Sequence, residues 1–410
     1  MTNAVTPPSH TDTVKNIVLV NLWRVINARG GAEKVFFDMA NNLSSRGYNV
    51  TCLGYDPQKG TPAFFVDPKV RFINCFPHNK IEHLFKTLIR MRVCLIPNRA
   101  TRKKKRAELL SLRKYRFIKS AIDNARPDVI VTFQPEATWV LSDMIKSEIP
   151  VVTMFHSSPN QIFETTENTP WIDDATHRCA CVQVLRPEYV EPTRNHLRIN
   201  RVVYIPNIVR QIQEHAELDA KKIINVARLT RWQKQQHILV EAFALLKDEF
   251  PDWKVELWGE THVEPPYTEY ILNLIDKLGL NGRVTLCGPT DDVQGKLLDS
   301  SIFAFPSFVE GFPLALTEAM SAGLPSVGFY GCAAVDGLIV NGSNGLLCNP
   351  TPQDLANVLR ELMLDKALRQ RLGRQAKVDM RPYVPEKIWD QWEMLLNEIA
   401  QKQHMAVRPR

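Results

Sequence analysis

Residues 305–325 read FPSFVEGFPLALTEAMSAGLP, and this stretch predicts more about the fold than any other part of the 410-residue chain. An apolar run ends at about Pro306, a loop carries Glu310, and Pro313 suits the first turn of a following helix. Gly323 suits the end of that helix. A buried strand, a short loop and a helix in this order are typical of one repeating unit of a parallel sheet.

The predicted helix would point its N-terminus out of the edge of the sheet. Free N–H groups at a helix N-terminus bind phosphate. Glu310 precedes the helix and Glu318 lies inside it, so the two carboxylates could accept hydrogen bonds from sugar hydroxyls on either side of a bound diphosphate. Two glutamates alone would more often belong to a solvated loop with a salt bridge. Their setting among glycine, proline and apolar residues favours a functional site.

Strand and helix patterns alternate on both sides of this stretch. In the C-terminal half, strands are predicted at 222–226, 254–259, 284–288 and 302–306, with helices at about 235–250 and 268–278. In the N-terminal half, strands are predicted at 16–20, 50–53, 127–133, 150–155 and 202–205, with a helix across 35–43. This alternation predicts an α/β protein of two doubly wound domains, with the cleft between them as the default ligand site.

The chain is predicted to have four segments. They are a flexible tail at 1–13, an N-terminal domain at 14–207, a C-terminal domain at 214–384, and a helix at 385–410 that packs back on the N-terminal domain. The start of the chain lacks a basic region followed by an apolar one, and no stretch reaches the ~18 uncharged apolar residues of a membrane span. We therefore expect a cytoplasmic protein.

Two further clusters follow predicted strands. Arg228 and Lys234 come after the strand at 222–226, where two fixed cations can hold a diphosphate and stabilise its charge as it departs. Ordinary surface cations are an equally good interpretation of that pair alone. Gly30 and Gly31 follow the first strand, and adjacent glycines let a ligand approach the backbone. Their spacing is not G-x-G-x-x-G, so a dinucleotide fingerprint is not met.

The net charge of +7 is concentrated in one segment. Residues 79–119 hold 14 Lys and Arg against two Glu, a charge of +12, so the rest of the chain carries −5. Apolar residues, among them Tyr115, Phe117 and Ile118, interleave with the cations, and a basic amphipathic helix at about 99–119 fits a membrane surface. A solvated basic helix is the alternative. Such a patch attracts the phosphates of anionic lipid, of a pyrophosphate or of nucleic acid. The cations assigned to contact with such a phosphate or with a membrane are Arg102, Lys103, Lys104, Lys105, Arg106, Arg113 and Lys114.

On these residues, the chain resembles the retaining glycosyltransferases of family 4 (group 1), which have the two-domain GT-B fold. The resemblance runs from Gly30 and Gly31 to the tail helix, and its most specific element is the E-x7-E motif of Glu310 and Glu318. The layout is most similar to that of bacterial enzymes that extend lipid-linked oligosaccharides and polysaccharides. The resemblance implies two Rossmann-like domains, the N-terminal one for the acceptor and the C-terminal one for a nucleotide sugar. It thereby implies that a phosphate bound by the basic segment belongs to an acceptor.

The resemblance also implies roles for the matching residues. Glu318 would bind the ribose of the donor, and Glu310 would bind the donor sugar. Arg228 and Lys234 would hold the diphosphate, with backbone N–H groups near Phe312 to Leu314. His156 stands where the family often has a histidine that faces the donor sugar, although a lone histidine is usually structural. The implied catalytic residues are Glu310, Arg228, Lys234 and His156, and the donor-binding residues are Gly30, Gly31, Arg228, Lys234, Glu310, Gly311, Phe312, Pro313, Leu314 and Glu318.

The chain also departs from the family pattern. Ala227 and Gln235 stand where glycine is common, and the usual Pro-Glu pair is missing near Asp336, which leaves the donor sugar open. No Asp-x-Asp occurs, so neither a metal nor another cofactor is expected. The resemblance implies front-face attack, in which the leaving diphosphate oxygen takes the proton of the acceptor and the protein supplies positioning and charge.

The resulting hypothesis is a metal-independent, retaining hexosyltransferase. It would move a hexose or N-acetylhexosamine from a nucleotide sugar, with UDP favoured, to a glycan acceptor linked to a lipid pyrophosphate. Cell-surface polysaccharide, lipopolysaccharide or capsule synthesis on the inner face of the cell membrane is expected. A soluble acceptor is one alternative, and a sugar-nucleotide epimerase of the same fold is another. A nucleic-acid-binding protein using the basic patch is disfavoured, because paired CxxC sites and RRM-type aromatic motifs are absent.

Overall fold

The computed structural model describes residues 14–77, 80–96, 99–166, 174–199 and 201–407, and the predicted tail at 1–13 lies outside them. The chain divides into two compact units. The N-terminal unit spans Met1–Ile205 and Trp389–Arg410, and the C-terminal unit spans Pro206–Ile388. Each unit is built on a parallel sheet of its own.

The described residues of the N-terminal unit form a seven-stranded sheet in the order β3-β2-β1-β4-β5-β6-β7. Its strands are β1 (Asn16–Asn21), β2 (Asn49–Gly54), β3 (Arg71–Asn74), β4 (Val129–Thr132), β5 (Val151–Met154), β6 (Cys181–Val184) and β7 (Val202–Tyr204). Its helices are α1 (Gly31–Ser45), α2 (Lys80–Cys94), α3 (Arg99–Ala125), α4 (Pro135–Trp139), α5 (Pro159–Thr166) and α6 (Val190–Leu197). A wider helical turn over Val140–Ile145 continues α4.

The C-terminal unit carries a six-stranded sheet in the order β10-β9-β8-β11-β12-β13. Its strands are β8 (Lys222–Val226), β9 (Lys254–Trp258), β10 (Val284–Gly288), β11 (Ile302–Phe305), β12 (Ser326–Phe329) and β13 (Gly345–Cys348). Its helices are α7 (Gln236–Ala244), α8 (Pro265–Lys277), α9 (Val293–Leu298), α10 (Leu314–Ser321), α11 (Ala333–Asp336), α12 (Pro352–Leu364) and α13 (Lys366–Asp379). The last helix of the chain is α14 (Pro385–Val407).

The strand orders confirm the predicted fold class, α/β with two Rossmann-like doubly wound sheets. In each sheet the chain starts at a central strand, builds to one side, and then returns to build to the other. The reversal lies between β1 and β4 in the N-terminal unit and between β8 and β11 in the C-terminal unit. Ligands of doubly wound sheets bind at the strand carboxyl ends beside such a reversal.

The sheets are buried on both faces, which is why their strands appear in the sequence as continuous apolar runs. Residues 17–20 of β1 and 302–304 of β11 are fully buried. A parallel sheet covered by helices on both sides has no solvent face, so its strands do not alternate apolar with polar residues.

Several predicted elements have different bounds in the structure. The helix predicted at 235–250 ends at Ala244, because Leu245 and Leu246 donate to carbonyls only three residues back, at 3.2 and 3.0 Å. The helix predicted at 268–278 begins earlier, at Pro265. The basic helix continues past 119 to Ala125. The four-residue strands β3, β6, β12 and β13 were missed by the sequence analysis.

The C-terminal helix α14 contacts the N-terminal unit. The guanidinium of Arg46 donates to Asp390 at 2.7 Å and to Glu393 at 2.8 Å, and the Tyr48 hydroxyl also donates to Glu393 at 2.8 Å. Trp389, Trp392 and Leu396 are buried along the same helix. Separately, none of the helices within the described ranges is long and apolar enough to cross a membrane.

Candidate active site

Two loops of the C-terminal unit meet at its sheet reversal. The first, residues 227–235, follows β8, and the second, residues 306–313, follows β11. Asn225 joins the two strands, since its side-chain amide donates to the carbonyl of Ala304 at 2.8 Å. The backbone N–H of Phe308 donates to Gln233 at 2.8 Å, and the Gln233 side chain donates to the carbonyl of Val309 at 3.2 Å. The loops are therefore held against each other by hydrogen bonds.

Lys234 and Glu310 form an ion pair between these loops. The Lys234 ammonium donates to Oε1 of Glu310, and the side chains are only 13% and 8% exposed. The ammonium also lies 5.2 Å from the centre of the Phe305 ring. Two of the predicted site residues, 76 positions apart in the chain, are thus brought into direct contact.

Arg228 lies on the first loop with its backbone fixed and its side chain exposed. The loop is tied to the end of β9, because Ala227 donates to Trp258 at 2.9 Å and Leu229 donates to Glu260 at 3.0 Å. Gly259 makes this approach possible, since a Cβ there would collide with the carbonyl of Ala227. Within the described ranges, no carboxylate forms an ion pair with Arg228. Its positive charge is therefore available to an anionic ligand.

The second loop leads into α10, whose first residue is Leu314. Pro313 is the residue that caps this helix, with φ −77° and ψ 94°, rather than a member of its first turn as predicted. It provides no side-chain cap, and the first N–H groups of a helix have no partner within the helix. Phe312 is buried and its ring lies 5.6 Å from that of Tyr383. Glu318, half-buried, follows one turn into the helix.

Gly30 and Gly31 lie at the start of α1 in the N-terminal unit. Gly30 caps the helix, and Gly31 is its first residue. Gly30 has φ −81°, so its backbone does not need glycine, but a Cβ there would collide with the carboxylate of Glu33. The two adjacent glycines predicted that a ligand could approach the backbone here. In the structure the space beside Gly30 holds the Glu33 side chain.

His156 follows β5 at the carboxyl edge of the N-terminal sheet. Its ring stacks on Phe133 with 5.1 Å between centroids and 20° between planes. Burial lowers the pKa of His156 to about 4, so the imidazole is neutral at physiological pH. Its Nε2 atom is shielded from solvent and has no hydrogen-bond partner among the residues described.

A buried amide pair lies at the sheet reversal of the N-terminal unit and was missed by the sequence analysis. The Gln134 side chain donates to Oδ1 of Asn21 at 2.6 Å and accepts the N–H of Leu22 at 3.1 Å. The Asn21 amide nitrogen has no partner in the part of the chain that the structure describes. The sequence did contain a signal for this pair, because Asn21 and Gln134 are polar residues that each directly follow a predicted strand.

The basic segment at 79–119 includes α2 and most of α3. Arg102 is half-buried and donates to the carbonyl of Ile96 at 2.9 Å, whereas Lys105 is exposed. Lys114 is half-buried with its ammonium 4.5 Å from the centre of the Tyr55 ring, and burial lowers its pKa. The side chains of Lys103, Lys104, Arg106 and Arg113 lie outside the described part of the structure.

The apolar residues of α3 correct one expectation. Ile118 is fully buried and Tyr115 packs against the same core of the N-terminal unit, so neither is available to a membrane surface. Phe117 is 39% exposed. The helix is amphipathic because one face packs on the sheet.

No cluster that could ligate a metal, meaning three or more His, Cys, Asp or Glu side chains, is found among the described residues.

The fold of the chain matches that of solved protein structures. TarM from S. aureus, in a crystal structure with fondaparinux, α-GlcNAc-glycerol and UDP, aligns with 94% of this chain and 100% of its own, at 15% identity and a TM-score of 0.72. The fold is therefore GT-B.

The family follows from two sequence models. The model of glycosyl transferases group 1 matches residues 208–379, and the model of glycosyltransferase family 4 matches residues 29–210. The chain belongs to the group 1, family 4 glycosyltransferases. An uncharacterized glycosyltransferase of Haemophilus influenzae is 26% identical over 376 residues, covering 90% of this chain and 97% of its own. An exopolysaccharide phosphotransferase of Streptomyces coelicolor is 28% identical over 284 residues, covering 67% of this chain and 29% of its own.

Proposed function

We propose that this glycosyltransferase moves a hexose or N-acetylhexosamine from a nucleotide sugar to a glycan acceptor, with retention at the anomeric carbon. The observation that supports this proposal is the arrangement of residues where the strand order of the C-terminal sheet reverses, between β8 and β11. There, the buried Lys234–Glu310 pair, the exposed Arg228 and the uncapped N-terminus of α10 lie on two loops that are bonded to each other.

Lys234 and Glu310, which contact each other in the structure, would each exchange that contact for one with the donor when the donor binds. A donor diphosphate would attract Lys234 and Arg228, since charge-assisted hydrogen bonds to phosphate are strong. Lys234 would then share its charge with the phosphate, and the Glu310 carboxylate would become free to accept hydrogen bonds from the hydroxyls of the donor sugar. Glu318 would take the ribose, and the first N–H groups of α10 would meet the diphosphate.

The transfer breaks the bond between the anomeric carbon and the diphosphate oxygen. The acceptor hydroxyl attacks from the same face, and the departing oxygen takes its proton. Negative charge grows on the diphosphate, and Arg228 and Lys234 stabilise it from fixed positions. We propose that these cations make a metal unnecessary. His156 is neutral, so it would hydrogen-bond to the donor sugar rather than act as a cation.

UDP is the proposed nucleotide, because the structurally similar TarM is found with UDP. Polysaccharide synthesis is the proposed setting, and the exopolysaccharide enzyme among the relatives supports it. A lipid-pyrophosphate acceptor is proposed from the basic segment at 79–119, whose charge is +12.

The surface of α2 supports a membrane position. Leu88 and Met91 on α2 are 49% and 55% exposed, and their spacing puts them on one side of the helix axis. Leu95, the first residue after α2, is 86% exposed. Ile89 and Val93 are buried on the opposite side. An exposed apolar stripe within a strongly basic segment suits the interface of an anionic bilayer. We propose that α2 and α3 together hold the enzyme at the inner face of the cell membrane.

Nucleotide binding tests the proposal directly. At a hundredfold excess over its dissociation constant, UDP should stabilise the protein by ~2.7 kcal/mol, measured by thermal unfolding with GDP and ADP in parallel. Donor hydrolysis should then be sought with a panel of sugars on the nucleotide that binds. If no nucleoside diphosphate changes the unfolding temperature, the donor site is assigned wrongly.

A further inference from the structure

Two exposed aromatic side chains stand beside the buried ion pair. Trp232 is 60% exposed and Phe308 is 48% exposed, and their ring centroids are 6.1 Å apart at 73°. Each precedes a member of the ion pair by two positions, Trp232 before Lys234 and Phe308 before Glu310. Besides the hydrogen bonds of Gln233, the two loops therefore share two contacts between side chains, one ionic and buried, the other aromatic and open to solvent.

The positions of these rings are fixed by the loops. The bonds from Phe308 to Gln233 and from Gln233 to Val309 hold the two segments in register. The neighbouring Arg231 is engaged elsewhere, since its guanidinium lies 4.7 Å from the centre of the Tyr270 ring. Leaving two large rings in water forgoes the free energy that their burial would give. Paired aromatic residues exposed at a polar site are typical of a binding surface.

We propose that Trp232 and Phe308 form a platform for a pyranose ring of the acceptor glycan. One face of a pyranose presents C–H groups, which pack on an aromatic ring, while its hydroxyls point outward to polar partners. The inference rests on the proposed function, because it takes the acceptor to be a glycan. The platform would set which acceptor sugar is held next to the transferred one.

The positions of the two rings along their loops favour an acceptor sugar, rather than the donor, as the group that packs on them. In the proposed reaction Lys234 and Glu310 take the diphosphate and the donor sugar, and the rings lie at the exposed edge of those same loops. The nucleoside is assigned to Glu318, on a different element from either ring. A pyranose resting on Trp232 would therefore lie on the same two loops as the pair assigned to the diphosphate and the donor sugar, which is where an acceptor must arrive.

Fluorine NMR of protein labelled with 5-fluorotryptophan tests this platform. Trp232→Phe assigns the Trp232 resonance by its disappearance. The labelled protein is titrated with UDP, and then, with UDP present, with methyl glycosides of glucose, galactose and N-acetylglucosamine and with maltose, cellobiose and lactose. We expect a saturable shift of the Trp232 resonance with at least one of these sugars and little change with UDP alone. Phe308→Ala should weaken that sugar's binding about three- to tenfold. Phe65→Ala, which removes an exposed ring from the N-terminal unit, should not.

The outcomes separate this inference from the proposed function. If UDP stabilises the protein but no sugar moves the Trp232 resonance, the platform is wrong and the donor site stands. If UDP or uridine moves it as strongly as any sugar does, the rings serve the nucleoside. Anionic vesicles are titrated in a parallel sample, and if only they move the Trp232 resonance, the rings contact lipid. Either of these results overturns the platform. If no nucleoside diphosphate binds, the proposed function itself fails.

Discussion

The ammonium of Lys234 and the carboxylate of Glu310 form an ion pair in which both side chains are almost wholly shielded from water. Removing one member of such a pair leaves the other charge buried without compensation. This lowers the free energy of unfolding by roughly 3–5 kcal/mol. Replacing both members by neutral side chains does not have that consequence. The pair therefore allows stability and catalysis to be measured separately.

Glu310→Gln should lower both activity and stability. We expect donor turnover to fall by about 10²–10³, the typical effect of losing one fixed group that acts in the transition state. The double variant Lys234→Met with Glu310→Gln should regain stability in chemical denaturation but not turnover. Lys221→Ala is the matched control, because it breaks an exposed pair with Asp252 at 2.7 Å and should leave the free energy of unfolding nearly unchanged. Near-normal turnover in Glu310→Gln would refute its role.

Arg228→Gln should lower the activity while leaving the stability of the protein nearly unchanged. Its side chain is exposed and makes no ion pair with the described carboxylates, so the free energy of unfolding should change little. Its charge is assigned to the departing diphosphate, and we expect turnover to fall by about 10²-fold. Calorimetric UDP titration should show weaker binding. Unchanged affinity and turnover would mean that Arg228 is a surface cation.

The sequence predicts the fold class of both sheets, and it predicts that Arg228, Lys234 and Glu310 lie on loops after two strands, for a physical reason. Strands buried on both faces appear as apolar runs, and loops after them carry the polar residues, as with Arg228 and Glu310. The contact between Lys234 and Glu310 spans 76 residues and depends on β8 lying beside β11. Gln134 and Asn21 meet across 113 residues for the same kind of reason. Such pairings follow from strand order, which no local pattern contains.

Short elements and side-chain packing were harder to predict. Strands β12 and β13 have four residues each, including Gly328 and Gly345, and give too short an apolar run to stand out. The glycine at Gly30 was interpreted as space for a ligand, yet the Glu33 side chain fills it. Composition cannot show which side of α3 packs on the sheet.

His156 should make the stability of the protein depend on pH. Burial lowers its pKa in the folded state to about 4, below the ordinary value of ~6.5 in the unfolded chain. As the pH falls from about 6.5 towards 4, the unfolded state takes up a proton that the folded state does not, so stability decreases. His156→Gln cannot be protonated and should lose less stability over that window in urea unfolding. The exposed His262→Gln is the control. Identical pH slopes for His156→Gln and wild type would contradict a buried neutral imidazole.

Chelation should leave the activity intact. We propose that Arg228, Lys234 and the N-terminus of α10 stabilise the negative charge of the departing diphosphate, as a divalent ion does in metal-dependent transferases. Transfer or donor hydrolysis measured after EDTA treatment and gel filtration should match the untreated rate. A loss that Mg²⁺ or Mn²⁺ restores would show that the cations are insufficient.

The basic segment and the stripe on α2 should act together at a membrane. Each cation near an anionic surface contributes ~1 kcal/mol and is screened by salt, whereas apolar insertion is not. Replacing all five cations at 102–106 by Gln should therefore release most of the protein from anionic vesicles and reduce the salt dependence of the binding that remains. Leu88→Ser with Met91→Ser and Leu95→Ser should weaken binding at every salt concentration, because these side chains are exposed.

Vesicle flotation over a salt series measures both effects. The control combines Lys221→Gln, Arg360→Gln and Lys366→Gln, which remove exposed cations of the C-terminal unit and should leave flotation unchanged. Donor hydrolysis in water should persist in every variant, since none of these residues belongs to the two site loops. Transfer to a lipid-linked acceptor should fall with flotation. If the wild-type protein stays in solution with anionic vesicles at low salt, the membrane proposal is wrong, and a soluble glycan becomes the better candidate acceptor.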